Sequence, residues 1–301
     1  MFKNLRIFRI GKSLKLSAES LASKLASGQF TECGSSDTQS AGWISPCGND
    51  QLVHSVNGNL LLSFRTERKL LPACVVKKFT REKAKTIAEE QGFPPGRKAM
   101  KDIKERVIDE LLPKAFTMDK NTNVWIDPRN GWFVIDTSSP TKADEVLKYF
   151  LKAVGNFPIE SFSVKETPSE IMTYWLHSDD GVHNFTIDQD VELTAQNESK
   201  SKLRLSKESI DPDDAKKHIR AGKICTKVAL TWNSKISFIL HSSLQITQVK
   251  PLDVLSDKAA SDKDAQERFD SDFAMMAGEL NLLFGDLADA FGGESDLAKA
   301  A

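Results

Sequence analysis

The chain lacks long apolar runs, has few thiols and imidazoles, and contains none of the short motifs that mark common catalytic folds. No hydrophobic stretch approaches the roughly 18 residues of a membrane span, so no membrane partner is expected. The N-terminal MFKNLRIFRIGKSLKL alternates basic and apolar residues and has no continuous apolar core of a signal peptide, so the protein is expected in the cytoplasm. Its four cysteines, Cys33, Cys47, Cys74 and Cys225, lie far apart without a C-x-x-C pair and read as free thiols rather than disulfides or zinc ligands. The five histidines are scattered; His177 and His183 stand near Asp179 and Asp180, but their Ser, Asp and Gly neighbours read as a surface loop, not a metal site.

Nucleotide and hydrolase signatures are missing as well. There is no G-x-x-x-x-G-K-[ST], no G-x-G-x-x-G after a strand, and no G-x-S-x-G elbow. A nuclease would need carboxylates gathered on magnesium. Asp188, Asp190 and Glu192 alternate along a predicted strand and come nearest to such a set, although a solvated strand face explains them as well. No catalytic residue, cofactor or metal is expected, and the chain is not read as an enzyme.

What the sequence does contain is segregated charge. Its 301 residues are 40% hydrophobic and 28% charged, with net charge −1. Lys77 to Lys120 nevertheless holds twelve basic against eight acidic residues, and Glu198 to Lys235 ten against five. Pro251 to Ala301 holds four against twelve. A chain that separates charge in this way can offer one face to a polyanion while another stays acidic.

The periodicities predict an α+β protein of antiparallel hairpins with flanking helices. A strand is expected at residues 4–10 and a helix after Ser17, closed by Gly28, with Trp43 as a lid on the core. Hairpins are expected at 51–64, 123–136 and 226–248, turning at Asn57-Gly58, Asn130-Gly131 and Asn233-Ser234. The second is followed by a helix at Thr141–Val154, capped by the Ser139-Pro140-Thr141 before it and with Ala143, Val146, Leu147, Phe150 and Leu151 as its apolar face, and the first by the basic segment, which suggests two related lobes. Within that segment Thr80 is the expected cap of a helix ending at Gly92; Pro94-Pro95 interrupt, and a second helix runs from about Arg97 to Leu112. Met100, Ile103, Val107 and Leu111 form its buried stripe, Lys98, Lys101 and Lys104 another side, and Pro113 presents Lys114 and Phe116 beyond its end. EIMTYWLH at 170–177 is a helix or a strand, 185–195 and 202–206 are strands, and Asp211-Pro212-Asp213-Asp214 starts a helix carrying Lys216, Lys217 and Arg220. A final helix, Ala265–Phe291, has a broad apolar face from Phe273 to Phe291. The domain boundaries expected are 1–76 and 121–250 for the lobes, 77–120 for a basic helical arm, and 251–301 for an acidic C-terminal region.

Distributed Lys and Arg without a catalytic group suit a DNA backbone, because phosphate contacts fix position but read no bases. The candidates on the arm are Lys77, Lys78, Arg81, Lys98, Lys101 and Lys114, with Lys216 in the second basic region. Solvation of a helix face is the competing explanation for each lysine taken singly.

The chain also resembles a known family. FKNL, QFTECGSSD, GWISP, ERKLLP, LLPKAF, VWIDPRNG, HIRAGKICTKVALTW and RFDSDFAMMAGEL, in that order over nearly the whole chain, are similar to the RdgC family of recombination-associated proteins of proteobacteria. The resemblance implies horseshoe subunits that close into a homodimeric ring around double-stranded DNA, with little sequence preference and no enzymatic activity. It implies a nucleoid-associated protein that opposes RecA indirectly, by limiting its access to DNA. It further implies that Lys114-Ala115-Phe116 meets its counterpart at the arm tips, Phe116 serving dimer closure, and that Arg97 and Lys207 join the DNA contacts. The chain departs from some relatives at Phe93-Pro94-Pro95, a stiffer and more apolar turn. A two-fold ring needs two self-complementary seams; Phe116 fits one, and the apolar face of the last helix is a candidate for the other. The alternative is a protein–protein regulator that acts on the recombinase itself and docks through the acidic tail.

Overall fold

A computed structural model describes residues 2–11, 16–178, 184–197, 200–205, 212–252 and 264–295. Nineteen strands and helices lie among them. In chain order they are β1 (Leu5–Ile10), α1 (Ala18–Leu25), β2 (Gln39–Ile44), β3 (His54–Val56), β4 (Asn59–Lys69), α2 (Ala73–Gln91), α3 (Arg97–Leu111), β5 (Thr117–Asp127), β6 (Trp132–Asp136) and α4 (Pro140–Val154). They continue with β7 (Ile159–Ser161), α5 (Pro168–His177), β8 (Phe185–Ala195), β9 (Lys202–Leu205), α6 (Pro212–Arg220), β10 (Lys223–Trp232), β11 (Ile236–His241), β12 (Ile246–Pro251) and α7 (Ala265–Ala290). All strands join one open sheet, in the order β2-β4-β5-β6-β1-β12-β11-β10-β8-β9, with β3 on β4 and β7 on β1. Every strand pairing is antiparallel, which makes the fold α+β.

The three hairpins form where the turn residues allow. Asn57 and Gly58 both have positive φ, and Val56 pairs with Asn59. Asn233 and Ser234 do the same between β10 and β11, while Asp127 organises the turn to β6 by accepting from the backbone N–H of Arg129 and Asn130. The first two hairpins lie side by side: β4 pairs with β5 along ten residues, and β6 pairs with β1. Strands from the two expected lobes therefore interleave in one sheet. Its halves meet at a narrow seam, where β1 and β12 share the single register pair Leu5–Ile246.

Alternation along the strands divides the core. On β4, β5 and β6 the residues Leu60, Leu62, Val124, Ile126, Phe133 and Ile135 face α1 and α4. Their neighbours Leu61, Trp125, Trp132 and Val134 face the opposite side, toward α7. Helix α7 also covers β10–β12 and bridges the two half-sheets. Trp132 Nε1 donates to Asn281 at 2.8 Å, and Trp232 Nε1 to Asp286 at 2.7 Å. Its whole apolar face, Phe273, Met276, Leu280, Leu283 and Leu287, is buried inside the subunit, as is Phe291 just beyond it, so it is core rather than a dimer seam.

Several local expectations change. Trp43 is fully buried between Phe64 and Phe150, a central core residue rather than a lid. Thr80 does not cap α2, which starts seven residues earlier after Pro72. It sits inside the helix and donates to the Val76 carbonyl at 2.7 Å. Residues 117–120 belong to β5, because Thr117–Lys120 continues the ladder against Thr66–Lys69. Leu151 of the α4 apolar face is exposed. The 170–177 segment is helical. Between Asp188 and Glu192 the strand β8 bulges, with Asp188, Gln189 and Asp190 opposite Ala229 alone between the pairs Val228–Val191 and Leu230–Ile187; Ile187 and Val191 both turn to the core, and Asp188 accepts from Thr231 Oγ1 at 2.7 Å.

Candidate nucleic-acid interface

The ribbon of β4 and β5 leads into an arm. Helices α2 and α3 are inserted at its tip and pack on each other around Val76, Ala84, Ile103 and Val107, a small core separate from the two under the sheet. Met100 and Leu111 of the expected stripe are partly buried against it. Gly92 ends α2 with φ +79°, and Gly96 precedes α3 without a side-chain cap.

Seven of the sequence-predicted DNA contacts, Lys77, Lys78, Arg81, Arg97, Lys98, Lys101 and Lys114, are exposed on this arm. Lys78 and Lys101 are neutralised along their own helices by Glu82 at 4.0 Å and Glu105 at 3.7 Å, contacts of small energy at exposed sites. Lys85 meets Glu89, and Lys83 ties α2 to Glu110 of α3. Lys77, Arg81, Arg97, Lys98, Lys104, Arg106 and Lys114 have no ion pair among the described residues. Arg97 and Lys98 open α3, where the helix dipole already carries partial positive charge and cations cost about 0.3–1 kcal/mol each. Neither α2 nor α3 has an acid in its first turn. An anion placed there would relieve the repulsion.

Lys216 stands elsewhere, half-buried on α6 with a partner of its own, so it does not join the arm patch. Lys207 lies outside the described residues, as do Asp179, Asp180 and His183 of the histidine loop. Among the described residues no group of three or more His, Cys, Asp or Glu is placed to hold a metal ion.

A second basic cluster lies on the sheet. Glu192 on β8 is buried, and its carboxylate receives Arg204 Nε at 2.9 Å, Lys227 Nζ at 3.4 Å and Lys202 Nζ at 3.6 Å. Thr226 Oγ1 donates to the same group at 3.1 Å. Burial alone would raise this carboxyl, but the Arg204 hydrogen bond and the charge of Lys227, helped by Thr226 and Lys202, bring its pKa down to about 2. Nearby His241 is held below its ordinary value by desolvation and by the charge of Lys227, with Arg6 adding to the effect. Three cations thus meet one carboxylate. The sequence signal was the alternating Lys202 and Arg204 of the edge strand β9, opposite Glu192 in register; Lys227 arrives from β10 and shows no local pattern.

Apolar exposure concentrates on the arm as well. Leu70, Phe79, Phe93, Phe116 and Met118 are five of the eight exposed large hydrophobic residues among those described, and Phe116 is 83% exposed. The Phe116 carbonyl accepts from Leu70 N–H at 2.7 Å, so its backbone is anchored while its ring points outward.

These features define an open-sheet α+β protein that carries its uncompensated charge on an inserted helical arm. The chain belongs to the RdgC family. Residues 1–294 match the family described as "Putative exonuclease, RdgC". The chain is 49% identical over 294 residues to the recombination-associated protein RdgC of Janthinobacterium sp. (strain Marseille), covering 97% of this chain and 98% of the relative. To the proteins of that name from Cupriavidus necator and Bordetella pertussis it is 47% and 45% identical, with the same coverage. No helix among the described residues is long and apolar enough to cross a membrane.

Proposed function

We propose that the protein binds double-stranded DNA without sequence preference, closes as a homodimeric ring around it, and so limits RecA's access during recombination at the nucleoid. The observation that carries this reading is the set of seven arm cations without ion pairs, beside exposed apolar side chains suited to a seam between copies. Backbone contacts supply affinity without reading bases, and two copies of one surface meeting on a two-fold axis close a ring.

The rival reading, direct docking on the recombinase through C-terminal acids, loses support at the four acids that are engaged within the subunit. Asp270 meets His54, Glu279 meets Lys235, Asp286 accepts from Trp232 and Asn184, and Glu294 pairs with Arg9.

The test is a titration of unrelated duplexes between about 50 and 200 mM salt. With six to ten phosphate contacts, affinity falls about 10³–10⁵-fold, and differences between sequences stay small. Strong sequence discrimination with flat salt dependence would overturn the proposal. The binding reading also expects labelled duplex to stay intact with magnesium; a ladder of products would show the cleavage that the family description names.

A further inference from the structure

Where the arm joins the sheet there is a cavity of about 630 Å³, between the end of β4 and the facing sides of α2 and α3. Its floor is apolar, made by Leu71, Val76, Met100, Ile108 and Leu112. Its charged rim is entirely basic: Arg68, Lys69, Lys77, Arg81 and Lys104 line it, and no acid does. Lys69 is occupied, its Nζ donating to the carbonyls of Gly34 at 2.7 Å and Ser35 at 3.0 Å. Arg68, Lys77, Arg81 and Lys104 have no ion pair among the described residues. The lysines of α2 and α3 that do have carboxylate partners, Lys78, Lys83, Lys85 and Lys101, are absent from the lining. Around this apolar hollow no basic side chain of the rim meets a carboxylate among the described residues.

The chemistry of the occupant follows from this contrast. A phosphodiester backbone satisfies the rim but leaves the apolar floor against water, which costs free energy in proportion to the apolar area left exposed. A nucleotide base would need several polar groups to orient it, and the uncharged polar side chains of the lining are Thr38 and Thr80, of which Thr80 already commits its hydroxyl to the Val76 carbonyl. An acidic peptide with a large apolar residue satisfies both parts: carboxylates reach the rim while the apolar side chain fills the hollow, an arrangement typical of groove recognition. We infer that this groove is a docking site for an acidic segment of a partner protein, anchored by an aromatic or aliphatic side chain.

The groove shares Lys77, Arg81 and Lys104 with the cations of the DNA-binding reading, but docking does not require that reading, and the experiment contains no DNA. A fluorescent ten-residue peptide with six Asp or Glu residues and a C-terminal Leu-Phe is titrated with the full chain, and the signal is polarisation. Saturable binding is expected. It should weaken at least tenfold in Lys104→Glu, an exposed position that the fold does not need, and at least tenfold when Leu-Phe becomes Ser-Ser. Equal binding with and without the apolar anchor would make the contact a general attraction to polyanions and overturn the inference. Absence of binding at about 100 mM salt, near one Debye length of 10 Å, would do the same. So would binding that emerges only in Phe116→Ala, since the groove would then belong to the arm tip of a second copy. Thermal unfolding of each variant checks that the fold is retained.

Discussion

Replacing Glu192 by Gln sets stability and DNA affinity against each other. Its carboxyl has a pKa lowered from 4.5 to about 2. The gap corresponds to about 3 kcal/mol favouring the ionised group in the folded protein. The Lys202 and Arg204 side chains are more than half exposed, so screening reduces the loss to about 1–2 kcal/mol at pH 7. For a domain of this size that lowers Tm by about 2–6 °C. The sign with pH is fixed by the depressed folded value. The stabilisation is complete above about 4.5 and disappears as pH falls through about 2, so the Tm gap between wild type and variant closes over that window. DNA affinity should move the other way. Without the carboxylate, Lys202, Arg204 and Lys227 are free for phosphate, and the salt dependence steepens by about 0.9 for each further phosphate neutralised. Scanning calorimetry from pH 2 to 7 and duplex titration check the two halves. An unchanged Tm at pH 7, or a gap that persists at pH 2, refutes the electrostatic account. A destabilised variant with weaker DNA binding refutes the assignment of this face to DNA.

Other substitutions test separate parts. Ile103→Ala removes one of four buried residues from the arm core and should cost about 2–4 kcal/mol there; amide exchange should accelerate in α2 and α3 while β4–β6 stay protected, and uniform loss would show that the arm has no separate core. Gly42→Ala places a Cβ 2.5 Å from the Phe30 Cα, a backbone atom that cannot swing aside. It should destabilise by about 1–3 kcal/mol, seen as a lower denaturant midpoint. Phe116→Ala should leave Tm unchanged, since the ring is exposed, while weakening dimerisation and DNA retention. Equal sedimentation and DNA binding would remove Phe116 from closure.

Much of the fold was legible because local chemistry and final structure agree. Asn-Gly turns, the Ser17 and Ser139 caps and the stripe on α3 each act over a few residues, and each appears where its signal lies. The exposed arm cations were legible for the same reason. What sequence did not reveal depends on distant partners. Lys227 and Glu192 meet only when β8 and β10 pair, and the bulge between Asp188 and Glu192 has no glycine or proline to announce it. Trp43 looked peripheral because the aromatic residues that enclose it come from β4 and α4. The α2 start was hidden because Ala73 to Val76 is apolar enough to read as the end of a strand.

The arm is a detour within a hairpin. Lys69 and Thr117, its points of departure and return, face each other across the β4–β5 ladder. A two-residue turn can therefore replace everything from Leu70 to Phe116 while every strand keeps its neighbours. The chain divides into a chassis and a detachable tool: a family member can exchange its arm by recombination within those codons, and an engineer can graft the arm onto another long antiparallel ribbon.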